Sequence, residues 1–304
     1  MTRPLKLTVV GLAGVDVILP SVARLPTWPR HSEFTLENLV KLREAPVVSL
    51  GGNGGNAAYV AARCGADVTL VTPLGRDALG TWVRSWLGDA GCRVVAVDRA
   101  DATALNVTAA SPAQARATFF FPGLRPRLPR VMEASVRTAL FVCGWPHPPL
   151  AQMARQFRRQ AAAGGLTVLD TGPILGPAWS LPELRPVLRS LRLLLSNEFE
   201  LKAITRARTL ALAVKRVRSD FGGDLVVKRG AAGALWYPTG TVVATEYPAK
   251  AVTVVSTIGA GDAFNGALLA RLCRGTGFPE ALRFANRVAG QAVSSRQGVL
   301  GVGG

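Results

Sequence analysis

The chain is poor in the residues that build metal centres and redox sites. It has two histidines, His31 and His147, and four cysteines, Cys64, Cys92, Cys143 and Cys273. The cysteines are far apart, with no C-x-x-C pair and no Cys/His cluster, which argues against a zinc ribbon or a dithiol redox motif. Reduced thiols of a cytoplasmic protein are the simplest account. Both histidines stand among prolines, in "WPRHSE" and "WPHPPL", a context of turns rather than of metal ligands. Long apolar runs are missing too: none reaches the ~18–20 residues that a membrane span needs. The opening "MTRPLKLTVVGLAGVDVILP" pairs basic residues with an apolar run. Asp16 interrupts that run and no A-x-A-like site follows, so a buried first strand over residues 6–11 is expected there rather than a signal peptide. No G-x-x-x-x-G-K-[ST] P-loop is present either.

Acidic residues are also scarce. Nineteen Asp and Glu oppose 36 Lys and Arg, a formal net charge of +17. Such a field attracts phosphate. The arginines are spread along the whole chain, however. The densest spots, "RPRLPR" (125–130), "RQFRR" (155–159) and "KRVR" (215–218), do not form a basic and aromatic platform for single strands. Nucleic acid is therefore not the expected partner, and a small anionic substrate such as a nucleotide is served by the same potential.

What is present is a folded α/β chain. Hydrophobic residues make up 49% and charged ones 18% of 304 residues, enough for a large core. Strand-like and helix-like runs alternate. "LTVVGLA", "DVTLVTPLG", "TALFVCGW", "LTVLDTGP", "LRLLLSNEFE" and "DLVVKRG" read as strands, with "NAAYVAARCG", "ALGTWVRSWLGDAG" and "LAQMARQFRRQAAAGG" as helices closed by glycine. Continuous β-branched runs between helices indicate a parallel sheet covered on both faces. Two segments break the rhythm, residues 17–50 and 103–123, the second a hairpin around Ser111-Pro112. Both are expected to be strands of a small lid over the carboxyl edge of the main sheet. No internal repeat or low-complexity tract is present.

Ligands of such sheets bind beyond the carboxyl ends of the strands, and five post-strand turns carry chemistry. Asp16, after the first strand, can accept hydrogen bonds from hydroxyls or cap a turn. "GGNGGNAA" (51–58) lets the backbone approach a ligand closely. Its Asn53 and Asn56 both donate and accept, which suits sugar hydroxyls, while Asn56 also stands where an N-cap would. In "SNEFE", Asn197 and Glu200 share a face; they suit a hydrated magnesium ion or a capping box. Lys228, before Gly230 and Gly233, can meet a phosphate or end a strand in solvent. Finally, "VVSTIGAGDAFNGALL" (254–269) reads as a strand, then a turn, then a helix whose buried face holds Phe264, Ala267, Leu268 and Leu272. Gly259, Ala260 and Gly261 bare the N–H groups of that helix terminus, an anion site, and Asp262 is placed as a general base or as a cap.

Taken in order, these turns resemble the ribokinase-like (PfkB-type) carbohydrate kinase family over essentially the whole chain. "GGNGGNAA" with "TPLGRDALG" (72–80) is similar to its first signature, "STIGAGDAFNGALLARL" to its second, and "NEFE" to its N-x-x-E magnesium motif. The resemblance implies a three-layer α/β sandwich with a central, mostly parallel sheet and a small β-sheet lid, one domain over 1–304. It implies ATP-dependent phosphorylation of a sugar hydroxyl with Mg²⁺. Asp262 matches the base, and Gly259, Ala260 and Gly261 the anion hole. Asp16, Gly52, Asn53 and Asn56 match the sugar site. Asn197, Lys228, Gly230, Gly233 and Asn286 match the nucleotide region, with Glu200 near the metal. A homodimer through the lid is a further implication. Ser256 departs from the pattern, which has aspartate there beside a monovalent cation; a serine lacks the charge, and potassium activation is in doubt.

The substrate is less defined. Arg43 and Arg116 lie in lid-like segments but form no phosphosugar motif. "TFFFPG" brings Phe119, Phe120 and Phe121 near the lid, which admits a nucleoside acceptor; strand alternation predicts that at least one of these rings is core, which favours a plain sugar. A sugar-binding regulatory protein without turnover is the non-enzymatic alternative.

Overall fold

The computed structural model describes residues 4–25, 39–97, 102–111, 115–123, 138–143, 149–172 and 179–303. His31, His147, Pro112 and the "RPRLPR" stretch lie outside the described residues.

The elements follow the alternation in the sequence. They run β1 (Leu7–Val10), β2 (Gly14–Leu19), β3 (Val47–Gly51), α1 (Asn53–Arg63), β4 (Val68–Thr72), α2 (Ala78–Asp89), β5 (Arg93–Ala96), β6 (Ala104–Ala110), β7 (Arg116–Phe121), β8 (Ala139–Cys143), α3 (Leu150–Ala162), β9 (Leu166–Asp170), α4 (Leu181–Leu188), β10 (Leu193–Asn197), α5 (Glu198–Thr205), α6 (Leu210–Arg218), β11 (Asp224–Lys228), β12 (Ala234–Tyr237), β13 (Thr245–Tyr247), α7 (Ala260–Cys273) and α8 (Phe278–Ser294). A nine-stranded sheet has the order β13-β12-β11-β10-β9-β8-β1-β4-β5. Its strands pair in parallel from β11 to β5, and β12 and β13 extend it antiparallel.

Parallel strands buried on both faces must be apolar at every position, and "ALFVC" of β8 is buried throughout. Alternation sends its side chains into two cores. Phe141 and Cys143, with Leu7 and Val9, pack against α1, α2, α7 and α8. Leu140 and Val142, with Val10, pack against α3, α4, α5 and α6. The result is the three-layer sandwich expected from the sequence.

The second sheet has four strands in the order β3-β2-β6-β7. It begins at Gly14, three residues before the segment read from the sequence, and β6 and β7 pair antiparallel as the hairpin reading required. Its register fixes two faces. Asp16 pairs with Ser49 and Asn106, and Asn106 with Phe120. The adjacent row, Val48, Val17, Val107 and Phe119, points to the opposite face. Three expectations are corrected here. Asp16 belongs to β2 and not to a turn after β1. None of the three rings of "TFFFPG" is core: Phe119, Phe120 and Phe121 are 66%, 37% and 47% exposed, because β7 is the edge strand of a sheet with solvent on its outer side. And no strand precedes Gly259; residues 251–258 are irregular, held to α8 where the amides of Val255 and Ser256 both donate to the Val293 carbonyl.

Helix α7 also differs from a surface helix. Residues Ala263 to Ala270 are all buried, with Leu272 half-buried, so the helix is enclosed rather than two-faced. It crosses α1 with backbones nearly touching. A Cβ on Gly266 would lie 2.4 Å from the Ala57 carbonyl oxygen. Only glycine lets these two helices approach so closely, and the contact brings together two polar side chains, one just before Ala57 on α1 and one a turn before Gly266 on α7.

Candidate active site

Those two side chains are Asn56 and Asp262. The Asn56 amide Nδ2 donates to Asp262 Oδ2 at 3.0 Å. Asn56 is therefore not an N-cap: Gly52 takes that position with φ +80°, and Asn56 is one turn inside α1, aimed across at α7. Its Oδ1 is buried without a hydrogen-bond partner among the described residues. Both residues line a cavity of about 300 Å³ between the small sheet and the N-terminal ends of α1 and α7, together with Asp16, Asn106, Phe120 and Gly259. A buried acceptor left without a partner is costly.

The cavity floor is built from glycine-permitted contacts. Gly52 packs on the Leu12 carbonyl, where a Cβ would come within 2.4 Å. Asn53 Oδ1 accepts from the amides of Leu12 (3.2 Å) and Gly54 (2.8 Å), tying α1 to the β1–β2 turn. Gly51 leaves room for Asp16, whose Oδ1 would lie 2.3 Å from a Cβ there. Burial pushes the Asp16 carboxyl up to about 7, partly offset by a hydrogen bond from Asn106.

Asp262 is in the first turn of α7, which starts from Gly259 in a left-handed conformation (φ +75°) with no side chain capping it among the described residues. A Cβ at Gly259 would meet Asn56 Nδ2 at 3.1 Å. The first-turn amides have no partner within the helix, so the terminus is open to an anion. Burial pushes the Asp262 carboxyl up to about 7; the Asn56 hydrogen bond and the Lys228 ammonium pull it down, and Asp170 and Asp16 raise it.

Lys228 is not a solvated strand end. Its ammonium donates to Asp170 Oδ2 at 2.6 Å and to Asn265 Oδ1 at 3.2 Å, and Asn265 Nδ2 in turn donates to Asp170. It lies 3.7 Å from where a Gly261 Cβ would be, beside the α7 terminus. Burial alone would lower its pKa, but Asp170, Glu200 and Asp262 outweigh this and raise it. It is a stable cation beside the N-terminus of α7.

The next carboxylate outward is Glu200. The capping box is present: Asn197 Oδ1 accepts from the Glu200 amide at 2.8 Å, and Glu200 Oε2 accepts from the Asn197 amide at 3.0 Å. Glu200 Oε2 also accepts from Thr171 Oγ1 at 2.9 Å. Burial and Asp170 push Glu200 up to about 6, against the pull of Lys228. No cluster of three metal-ligating side chains occurs among the described residues. One carboxylate with room for water and phosphate oxygens is what Mg²⁺ usually takes from a protein, so Glu200 fits a hydrated ion.

Gly230 lies exposed in the turn after β11, and Gly233 closes that turn buried against the Tyr247 carbonyl, which a Cβ there would approach to 2.1 Å. Asn286 is buried in α8, where its Nδ2 donates to the Tyr247 carbonyl at 2.8 Å and holds the chain leaving β13. The geometry thus gathers Asp16, Gly52, Asn53, Asn56, Gly259 and Asp262 at one cavity, with Lys228 adjoining. Asn197 and Glu200 stand at the end of the neighbouring strand β10. Asp170, Asn106 and Asn265 belong to the same constellation and were not singled out from sequence. Asp170 ends β9 in "LTVLD", so the rule that post-strand residues carry chemistry would have found it.

The described residues contain no helix long and apolar enough to cross a membrane. A family model for the pfkB family carbohydrate kinases matches residues 5–301. A ribokinase of Arabidopsis thaliana is 27% identical over 301 residues, covering 94% of this chain and 76% of that protein. The ATP-dependent 6-phosphofructokinase isozyme 2 of Escherichia coli (strain K12) is 29% identical over 277 residues, covering 85% and 86%. The structure of Arabidopsis thaliana ribokinase complexed with ribose and ATP superposes with a TM-score of 0.76 at 21% identity, covering 99% of this chain and 96% of that one. The chain belongs to the PfkB family of carbohydrate kinases, phosphotransferases with an alcohol group as acceptor.

Proposed function

We propose that this protein is an ATP-dependent kinase that phosphorylates a hydroxyl of a sugar or sugar-like acceptor bound in the 300 Å³ cavity. One observation carries the reading: Asn56 Nδ2 holds Asp262 Oδ2 in the wall of this cavity, where a carboxylate can meet an acceptor hydroxyl. ATP, which the Arabidopsis ribokinase structure contains, supplies the phosphoryl group when bound. Asp262 takes the proton from the acceptor hydroxyl, its raised pKa matching a base that works near neutrality. Asp16 and Asn106 orient the other hydroxyls. The amides of Gly259–Gly261 and the Lys228 ammonium stabilise the charge of the transferred group. Gly230, Gly233 and Asn286 flank the nucleotide side, where Asn197 and Glu200 also stand. Glu200 would hold Mg²⁺ through water, and the ion would neutralise phosphate charge there.

The small sheet acts as a lid on the acceptor and excludes water from it. Its outer face carries Phe119, Phe121 and Val48, each more than a third exposed, which fits pairing with a second copy.

A nucleoside is the second reading, favoured by Phe120, whose ring lines the acceptor cavity instead of the core. ADP release across a panel of sugars and nucleosides, each with and without potassium, tests the proposal. A sugar is expected to give the fastest turnover, with equal rates in potassium and sodium. Fastest turnover on nucleosides would select the second reading, and saturable sugar binding without ADP would leave a binding protein.

A further inference from the structure

A second cavity of about 440 Å³ lies beside the first, and Ile258 lines both. It opens between the small sheet and the irregular segment that leads into α7. Two arginines from different parts of the fold line it: Arg116, from the start of β7, and Arg296, just after α8. The hydroxyl residues Ser21, Ser111 and Ser256 also line it. Glu44 is the one carboxylate in the lining, and it accepts from Ser21 Oγ at 2.5 Å. Among the described residues neither Arg116 nor Arg296 pairs with a carboxylate. The cavity wall therefore carries two positive charges against one negative. A guanidinium offers five donors in a planar fork, and two of them converging with hydroxyls suit an oxyanion.

Arg116 is also a bridge. Its Nη2 donates to Thr257 Oγ1, two residues before Gly259. The small sheet is thereby tied to the segment that positions the α7 terminus. An anion held jointly by Arg116 and Arg296 would add a second tie across the same gap.

We propose that this second cavity binds a small oxyanion, a phosphate or carboxylate group, and that the bound anion fastens the small sheet to the 255–258 segment. The anion is either a group on the acceptor itself, reaching past Ile258, or a separate metabolite. Binding at this site does not depend on the kinase reading; identifying the source does.

The test is calorimetric titration of the whole protein with inorganic phosphate, against sodium chloride of equal ionic strength. Phosphate can also enter the 259–261 turn, so the comparison is between the wild type and Arg296→Gln and Arg116→Gln, which leave the residues of that turn unchanged; Arg296→Gln also keeps the Arg116–Thr257 bond. The expected result is saturable phosphate binding that weakens roughly tenfold or more in either variant, as loss of a charge-assisted pair predicts, with Arg296→Lys recovering part of it. Absence of saturable binding, or binding unchanged in both glutamine variants, would overturn the proposal. Turnover assays then separate the sources, and either result is consistent with the site. If the anion belongs to the acceptor, phosphate competes with the acceptor, and Arg296→Gln raises KM for anionic acceptors only. If it is separate, phosphate alters turnover without competing. Phosphate binding without any ADP release would refute the kinase reading alone.

Discussion

Asn56 and Asp262 are 206 positions apart in the chain and share a hydrogen bond of 3.0 Å. It joins the first turns of two buried helices and leaves one amide oxygen unpartnered beside the carboxylate. The proposed chemistry depends on this pair, because a general base must be both correctly placed and correctly charged.

The charge gives a pH prediction. Burial lifts Asp262 to about 7, and only the ionised form can accept the proton. The kcat/KM of the wild type should therefore rise with pH and level off above about 7. Asp16 raises the Asp262 pKa by like-charge repulsion. Asp16→Asn should move the rising limb to lower pH while raising KM, measured on the best acceptor. A limb that stays in place would show that the two carboxylates do not interact.

The same shift has a stability consequence of opposite value. Below the ordinary carboxylate pKa both folded and unfolded chains hold the proton. As pH rises from about 4 to about 7, the unfolded chain releases it first, and the fold loses stability. Asp262→Asn removes that loss. Its melting temperature should match the wild type near pH 4 and exceed it near pH 8. Equal melting at both pH values would contradict the raised pKa.

Placement depends on Gly266. A Cβ there would lie 2.4 Å from the Ala57 carbonyl, so Gly266→Ala must push α7 from α1. The expected cost is about 1–3 kcal/mol, with a fall in kcat as the Asn56–Asp262 geometry opens. Gly88→Ala is the control, since nothing lies within 4 Å of its Cβ position on α2; thermal melts should show it neutral or slightly stabilising.

Lys228 distinguishes structure from chemistry. Removing it alone strands Asp170 in a buried site, and Lys228→Met should lose about 3–5 kcal/mol in denaturant titration. The double variant Lys228→Met/Asp170→Asn should regain much of that stability. If the ammonium meets the transferred phosphoryl group, kcat stays low in the double variant. Recovery of both together would assign Lys228 a packing role only.

Much of this was legible in the sequence. Apolar runs such as "ALFVC" fixed the parallel sheet, and glycines around Asn56 and before Asp262 marked the turns that meet. Asp16 stands out in the sequence but reads as a turn residue, because "GVDVIL" is short and its partners, β3 and β6, lie far along the chain. The same distance hides the surroundings of the three rings of "TFFFPG": alternation gives two faces and predicts a core ring, but only the register of β7 on β6 says which face meets a cavity. For Lys228 the sequence leaves a phosphate contact and a solvated strand end both open, because its partner Asp170 is 58 residues away. Local pattern reports elements and turns; long-range pairing decides what each side chain faces.

The most direct test of the central claim is ADP release by the wild type and by Asp262→Asn, each saturated with the best acceptor. Loss of the base should lower kcat by on the order of 10²–10⁴-fold in a protein that still folds and binds the acceptor. A variant that turns over at near the wild-type rate would contradict the assignment of Asp262 as the base.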